Sequence, residues 1–290
     1  MLSLLRESLA AFSLLRDEIS NVISESQTTE ARYSRFATGQ MHYYGERCQS
    51  LNLLLQDEKL WDADILMRAA TECATRFIFV SIAEPNERTN RIDEYEFALN
   101  EIDDLQRSEK AKPAVAAATD PGTAMLLGGG VLSPEREAEL RARWPKPKRA
   151  QIKQKWSFSE IVKQLSEFHN ERLDLRHYKS LLHGYGLSSH LIHADQTAID
   201  VVWDRKGREP HIRRMQEQAH FARLATSQVS LLFLCWRAIA FATGLDSKNP
   251  EPVKRLLALN EQADVLHRAF AESQAHLYPC KGTEAATTSR

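Results

Sequence analysis

An all-α fold, an antiparallel helical bundle in one domain over residues 1–278, is predicted by three observations. Apolar residues recur at three- and four-residue steps over most of the chain. At 290 residues, 43% of them hydrophobic and 27% charged, the chain can bury a large core. Only one short apolar stretch, Ile199 to Trp203 followed by Asp204-Arg205-Lys206-Gly207, reads as an extended or hairpin piece.

Leu2, Leu5, Leu9, Phe12, Ile19 and Val22 form one stripe, so the first 25 residues are read as an amphipathic helix. A second helix is expected from about Glu30 to Gln56. A third should follow from Trp61 to about Ala83, ended by Pro85. The charged stretch Asn86 to Glu109, with sparse apolar anchors such as Ile92, Phe97 and Leu105, reads as an outer helix. Pro113, Pro121, Gly122 and the run Gly128-Gly129-Gly130 read as a flexible insertion over about 110–133. No Gly-Lys-Ser/Thr follows the triple glycine, which excludes a phosphate loop.

Ser133-Pro134 reads as an N-cap and a first-turn proline, opening a helix that Pro145 and Pro147 stop after about Arg143. A long helical region is then expected from Ser159 to about Ala194, with a bend at Gly184 and Gly186. Helix returns from about His211 to Thr243, capped by Gly244. A last helix opens at Asn249-Pro250 and runs to about His276, and residues 279–290 read as a disordered tail.

Composition excludes some partners. The 38 basic and 39 acidic residues nearly cancel, so no global field selects nucleic acid or an anionic membrane. Between Thr226 and Leu245 the only charge is Arg237, a span long enough to cross a bilayer. Its central arginine, with Ser227, Gln228 and Ser230, makes a buried core helix the better reading. Arg6 and Glu7 interrupt the apolar N-terminus too early for a signal peptide, and Cys48, Cys73, Cys235 and Cys280 form no Cys-x-x-Cys pair. Reduced thiols and a cytoplasmic location, with no membrane partner, are therefore expected.

The third helix is the most informative. Ile65, Leu66, Ala69, Ala70, Cys73, Ala74, Phe77 and Val80 cover about half its circumference. Arg68, Glu72 and Arg76 follow at four-residue steps beside that face, where an unpaired charge costs several kcal/mol. They read either as an ion pair clipping helices together or as members of a polar site inside the bundle. A second half is offered by a histidine-rich stretch, His169, His177, His183, His190 and His193, in which Tyr185, Ser189 and His193 share four-residue spacing.

With Arg68-Ala-Ala-Thr-Glu72 on one apolar helix and Tyr185-Gly-Leu-Ser-Ser189-His-Leu-Ile-His193 on a later one, the chain resembles a bacterial family of helical proteins whose shared domain has no assigned function. The resemblance spans about residues 40 to 200. It implies a helical bundle with Arg68, Glu72, Tyr185, Ser189 and His193 in one polar constellation, but no reaction. Ser188 beside Ser189 leaves open which serine belongs to the motif.

Helical ribonucleases of bacterial defence and toxin systems carry Arg, four to six residues, then His. Arg172 to His177 and Arg176 to His183 fit that spacing, but so do Arg35 to His42, Arg205 to His211, and Arg213 or Arg214 to His220, so the spacing selects poorly. The chemistry is coherent without a metal or cofactor: a neutral imidazole takes the 2′-hydroxyl proton while a guanidinium stabilises the phosphorane.

Arg141, Arg143, Lys146, Lys148, Arg149, Lys153 and Lys155 form an acid-free basic segment with Trp144 inside and Trp156 just after it. It reads as phosphate contacts plus base stacking for single-stranded RNA, or as a solvated linker. Asp174, His177, His190, His193 and Asp195 include metal-ligand types at helical spacing, though no ligand motif is complete.

The leading expectation is an RNA-acting effector or accessory protein of a bacterial defence or toxin-type system, able to act as a metal-independent ribonuclease. RNA and a protein from the same operon are the expected partners. The alternatives are a non-catalytic helical interaction module whose polar cluster is structural, and a metal-binding bundle.

Overall fold

The computed structural model describes residues 1–27 and 30–275 and is all-α. Three long helices come first: α1 (Leu2–Ser26), α2 (Ala31–Gln56) and α3 (Leu60–Ser81). An outer layer follows, made of α4 (Pro85–Asp93), a π-helical turn (Glu94–Ala98), α5 (Leu99–Ala117), α6 (Pro121–Gly128), α7 (Pro134–Arg143) and α8 (Lys146–Lys155). The chain then returns through α9 (Phe158–Ser166), a 3-10 turn (Arg176–Ser180), α10 (Leu181–His193), α11 (Gln196–Gly207), α12 (Pro210–Thr243) and α13 (Glu251–Ser273).

The 34-residue α12 is the axis of the bundle, packed on α1, α3 and α13. It is the one helix among the described residues long and apolar enough to cross a membrane. Two thirds of its apolar window (67%) lies inside the protein, as a core helix requires. Arg237 reaches the surface, donating to the Arg172 carbonyl at 2.8 Å and lying 3.8 Å from Asp246. Gly244 ends the helix at φ +74°, a left-handed cap that costs glycine no Cβ clash.

Helices α2 and α3 pack antiparallel, as two contacts at different heights show: Tyr33 donates to Ser81 at 2.8 Å, and the Cys73 thiol to the Gln40 carbonyl at 3.3 Å. Tyr44, Phe77 and Phe221 are wholly buried between them and α12. A polar knot crosses this apolar core. Gln228 of α12, fully buried, donates its side-chain amide to Ser8 of α1 at 3.2 Å and to Asn52 of α2 at 2.7 Å, while its main-chain carbonyl accepts from Tyr44 at 2.6 Å. Buried polar groups bonded in this way fix helix register, because any slip leaves them unpaired.

Three expectations need correction. Ile199 to Trp203 lies inside α11, and no named strand occurs among the described residues; Asp195 caps that helix by accepting from the Ala198 amide at 3.2 Å. The Gly/Pro-rich insertion is largely helical, since α5 continues through Pro113 and Asp120-Pro121 starts α6 with a capping bond from Thr123 at 2.7 Å. The helix expected from Ser159 to Ala194 breaks at residues 167–175 and not at Gly184 or Gly186, which sit within α10. The Asn170 side chain makes that break by accepting from the amides of Arg172 and Leu173. The expected tail, residues 279–290, and Cys280 lie outside the described residues.

Candidate functional site

The third helix and α10 meet through a polar cluster. Glu72 accepts from Arg68 Nε at 3.2 Å, from Arg76 at 3.0 Å and from the Tyr185 hydroxyl at 3.0 Å. Tyr185 in turn accepts from Arg68 at 2.8 Å. Its ring stacks on Phe158 at 3.8 Å and carries the Arg68 guanidinium 4.2 Å from its centroid. Burial, then the charge and hydrogen bond of Glu72, raise the Tyr185 pKa, so the phenol stays a neutral donor.

Arg68, Glu72 and Tyr185 are therefore brought together, but Ser189 and His193 are not. Neither side chain makes a hydrogen bond or ion pair among the described residues, and His193 is exposed at the last position of α10. Helix geometry explains this. Four-residue steps overshoot a turn by about 40° each, so His193 is rotated about 80° from Tyr185. Ile192, seven residues on and only about 20° off, lines a cavity beside Glu72 instead.

The neighbouring serine is the one that is used. Ser188 is buried and donates to Asp64 at 3.3 Å and to the Gly184 carbonyl at 3.0 Å. Asp64, 1% exposed, is the hub of a second cluster that sequence reasoning missed. Its Oδ2 accepts from His220 Nε2 at 2.7 Å and from Arg223 at 2.5 Å. Arg205 lies 2.7 Å from His220 Nδ1 and stacks 3.8 Å over the Trp61 ring. Arginine has only donors, so Nδ1 must accept and Nε2 carries the proton toward Asp64.

Burial would raise the Asp64 pKa, but the hydrogen bonds and charges of His220 and Arg223 outweigh it and hold the carboxyl below its usual value. Burial, against the pull of Asp64, holds His220 below 6.5, and the nearby Arg223 and Arg205 add to that. Desolvation pushes the Arg205 guanidinium down to about 10. The cluster is thus an ionised Asp, a neutral His and two cations. The signal for it was a carboxylate at position 64 on the same stripe as Met67, Ala70 and Ala74.

Two cavities border these clusters. One, of about 530 Å³, lies between α2, α3 and the end of α10 and is lined by Arg47, Arg68, Arg76, Glu72, Tyr43 and Tyr95 among others. Three guanidiniums face one carboxylate there, and Arg47 Nε and Arg68 Nη1 are buried with no acceptor. It adjoins a further hollow of about 670 Å³ that shares Arg76 and Tyr95 and includes Lys153 and Trp156. The other cavity, of about 370 Å³, lies between α3, α10 and α12 on the far side of Arg68.

The basic segment is placed on α7 and α8, and much of its charge is neutralised. Arg141 pairs with Glu109 and Glu137, Arg143 with Glu101 and Glu139, Lys153 with Asp103, and Lys155 with Glu87 and Glu94. Lys146, Lys148 and Arg149 have no acidic partner among the described residues, and Lys148 sits 4.4 Å from the Trp144 ring centroid. The metal-ligand candidates do not converge: Asp174 holds Arg176 and Asp195 holds His190 at 2.6 Å. No group of three or more His, Cys, Asp or Glu side chains among the described residues is arranged to hold a metal.

Fold and site together define an all-α protein with two polar clusters one turn apart on a single core helix. In comparisons with protein-family models, curated proteins and solved structures, no match to this chain was found.

Proposed function

We propose that the chain is an RNA-binding protein that holds a single strand in the groove between α2, α3 and α10, and that it serves as an accessory factor and not as the nuclease. The supporting observation is the excess of guanidinium around Glu72, with Arg47 Nε and Arg68 Nη1 buried and unpartnered. A phosphate would supply a charge-assisted acceptor to three guanidiniums that have only Glu72 as a carboxylate in the cavity. Tyr43 and Tyr95 supply aromatic faces. Cleavage is disfavoured because His193, the candidate base, stands apart from Arg68 and Glu72.

Fluorescence anisotropy with a labelled single-stranded RNA tests this. Binding should weaken steeply with salt, and Arg47→Gln with Arg76→Gln should lower affinity and reduce the salt slope by roughly 0.7 per lost phosphate contact. His193→Ala should bind as the wild type does. No binding at low salt, or binding indifferent to both arginine changes, refutes the proposal. It would favour the second reading, a helical interaction module, for which the pairing of Glu72 by Arg68, Arg76 and Tyr185 is the specific support.

A further inference from the structure

The 370 Å³ cavity between α3, α10 and α12 is independent of the RNA groove except at Arg68 and falls in the size range of small-molecule pockets. Its floor is apolar, with Met67, Leu181, Leu187 and Leu231. Its polar end is cationic. Asp64 is the one acid lining it, and Ser188, His220 and Arg223 already occupy that carboxylate. Arg68 and Arg223 both line the wall, the latter through Asp64 one turn from Arg68, about 6 Å along α3. Arg205 adds a third, buried positive charge behind His220.

Gly184 lines the same cavity from the first turn of α10, which continues from the 3-10 turn, and glycine inside such a helical run costs about 0.5–1 kcal/mol relative to alanine. Nothing in the backbone requires it, since its φ is not positive, and a Cβ built there meets no atom within 4 Å. What the missing side chain does leave is open space in the cavity wall.

We infer that this cavity binds a small amphipathic anion, its carboxylate or phosphate head between Arg68 and Arg223 and its hydrocarbon body on Met67, Leu181, Leu187 and Leu231. The head would sit between two guanidiniums that Glu72 and Asp64 pair, and the body would cover the partly exposed Leu181 and Leu187. Two heads share this chemistry, and the probes separate them.

Isothermal titration of the full chain with octanoate, octyl phosphate and octanol provides the test. Saturable binding of either anion, at least tenfold tighter than octanol, is expected. A preference for octanoate assigns a carboxylate head and a preference for octyl phosphate assigns a phosphate head. Gly184→Leu, which fills the cavity from an open position, should weaken anion binding at least tenfold while circular dichroism stays unchanged. Arg223→Met should weaken the anions and leave octanol unaffected. Absence of saturable binding of both anions to the wild type overturns the inference, as does octanol binding equally well or Gly184→Leu binding like the wild type. RNA binding in the α2–α3 groove is read separately, so failure of either site does not decide the other.

Discussion

Replacing Asp64 by alanine probes the buried cluster most directly. The carboxylate is 1% exposed and receives three donors, from Ser188, His220 and Arg223. Breaking a buried ion pair from one side costs about 3–5 kcal/mol, because the remaining charge is stranded. Here the Arg223 side chain is 39% exposed and can turn to water, which relieves part of that penalty. The 3.3 Å Ser188 bond adds little, since that hydroxyl keeps its bond to the Gly184 carbonyl. His220 and Arg205, both buried, cannot escape in the same way. The expected loss is therefore about 3 kcal/mol, at the lower end of the range. For a domain of this size that lowers Tm by roughly 6–12 °C. Urea unfolding followed by circular dichroism measures it, with Asp64→Asn expected to lose less and Ser188→Ala less than about 1 kcal/mol. A loss below about 1 kcal/mol for Asp64→Ala would show that the ions are solvated and that the network carries no stability.

Acidification should destabilise the protein through His220, whose folded pKa lies below its unfolded value. The unfolded chain then takes up the proton first, so stability is complete above about pH 6.5 and falls as pH drops below it. A protonated Nδ1 would also confront Arg205 with a second donor. Thermal melts from pH 8 to pH 5 should show Tm falling, and His220→Gln should flatten that slope; an unchanged slope refutes the assignment. Gly186→Ala should raise stability by about 0.5–1 kcal/mol, because α10 gains a better helix former at a site where a Cβ meets nothing within 4 Å. Urea unfolding checks this, and destabilisation would show that the position needs glycine.

The long helices were legible because each carries an uninterrupted apolar stripe. Within the site, Arg68, Glu72 and Tyr185 were legible for a related reason, since a charged row beside a buried face must find a polar partner. His193 points away from Tyr185 because four-residue steps drift around a helix, so equal spacing in sequence is not a shared direction in space. The Asp64–His220 pair was out of reach, its members being 156 residues apart, although the carboxylate on a buried stripe was visible. The charges of the basic segment are plain in sequence, whereas the carboxylates that pair Arg141, Arg143, Lys153 and Lys155 come from α4, α5, α7 and the π-helical turn. The start signal of α6, Asp120-Pro121, lies inside a Gly/Pro-rich composition that otherwise reads as loop.

The knot at Gln228 also constrains how the chain can reach its final form. The residues it ties together, Ser8, Tyr44 and Asn52, leave the ribosome long before residue 228 does. Until α12 emerges, α2 and α3 can close on each other while the apolar stripe of α1 still lacks its main partner. Assembly of the core is therefore a late event that joins the two ends of the chain. A shortened product lacking α12 would be a sticky helical fragment and not a smaller version of the protein.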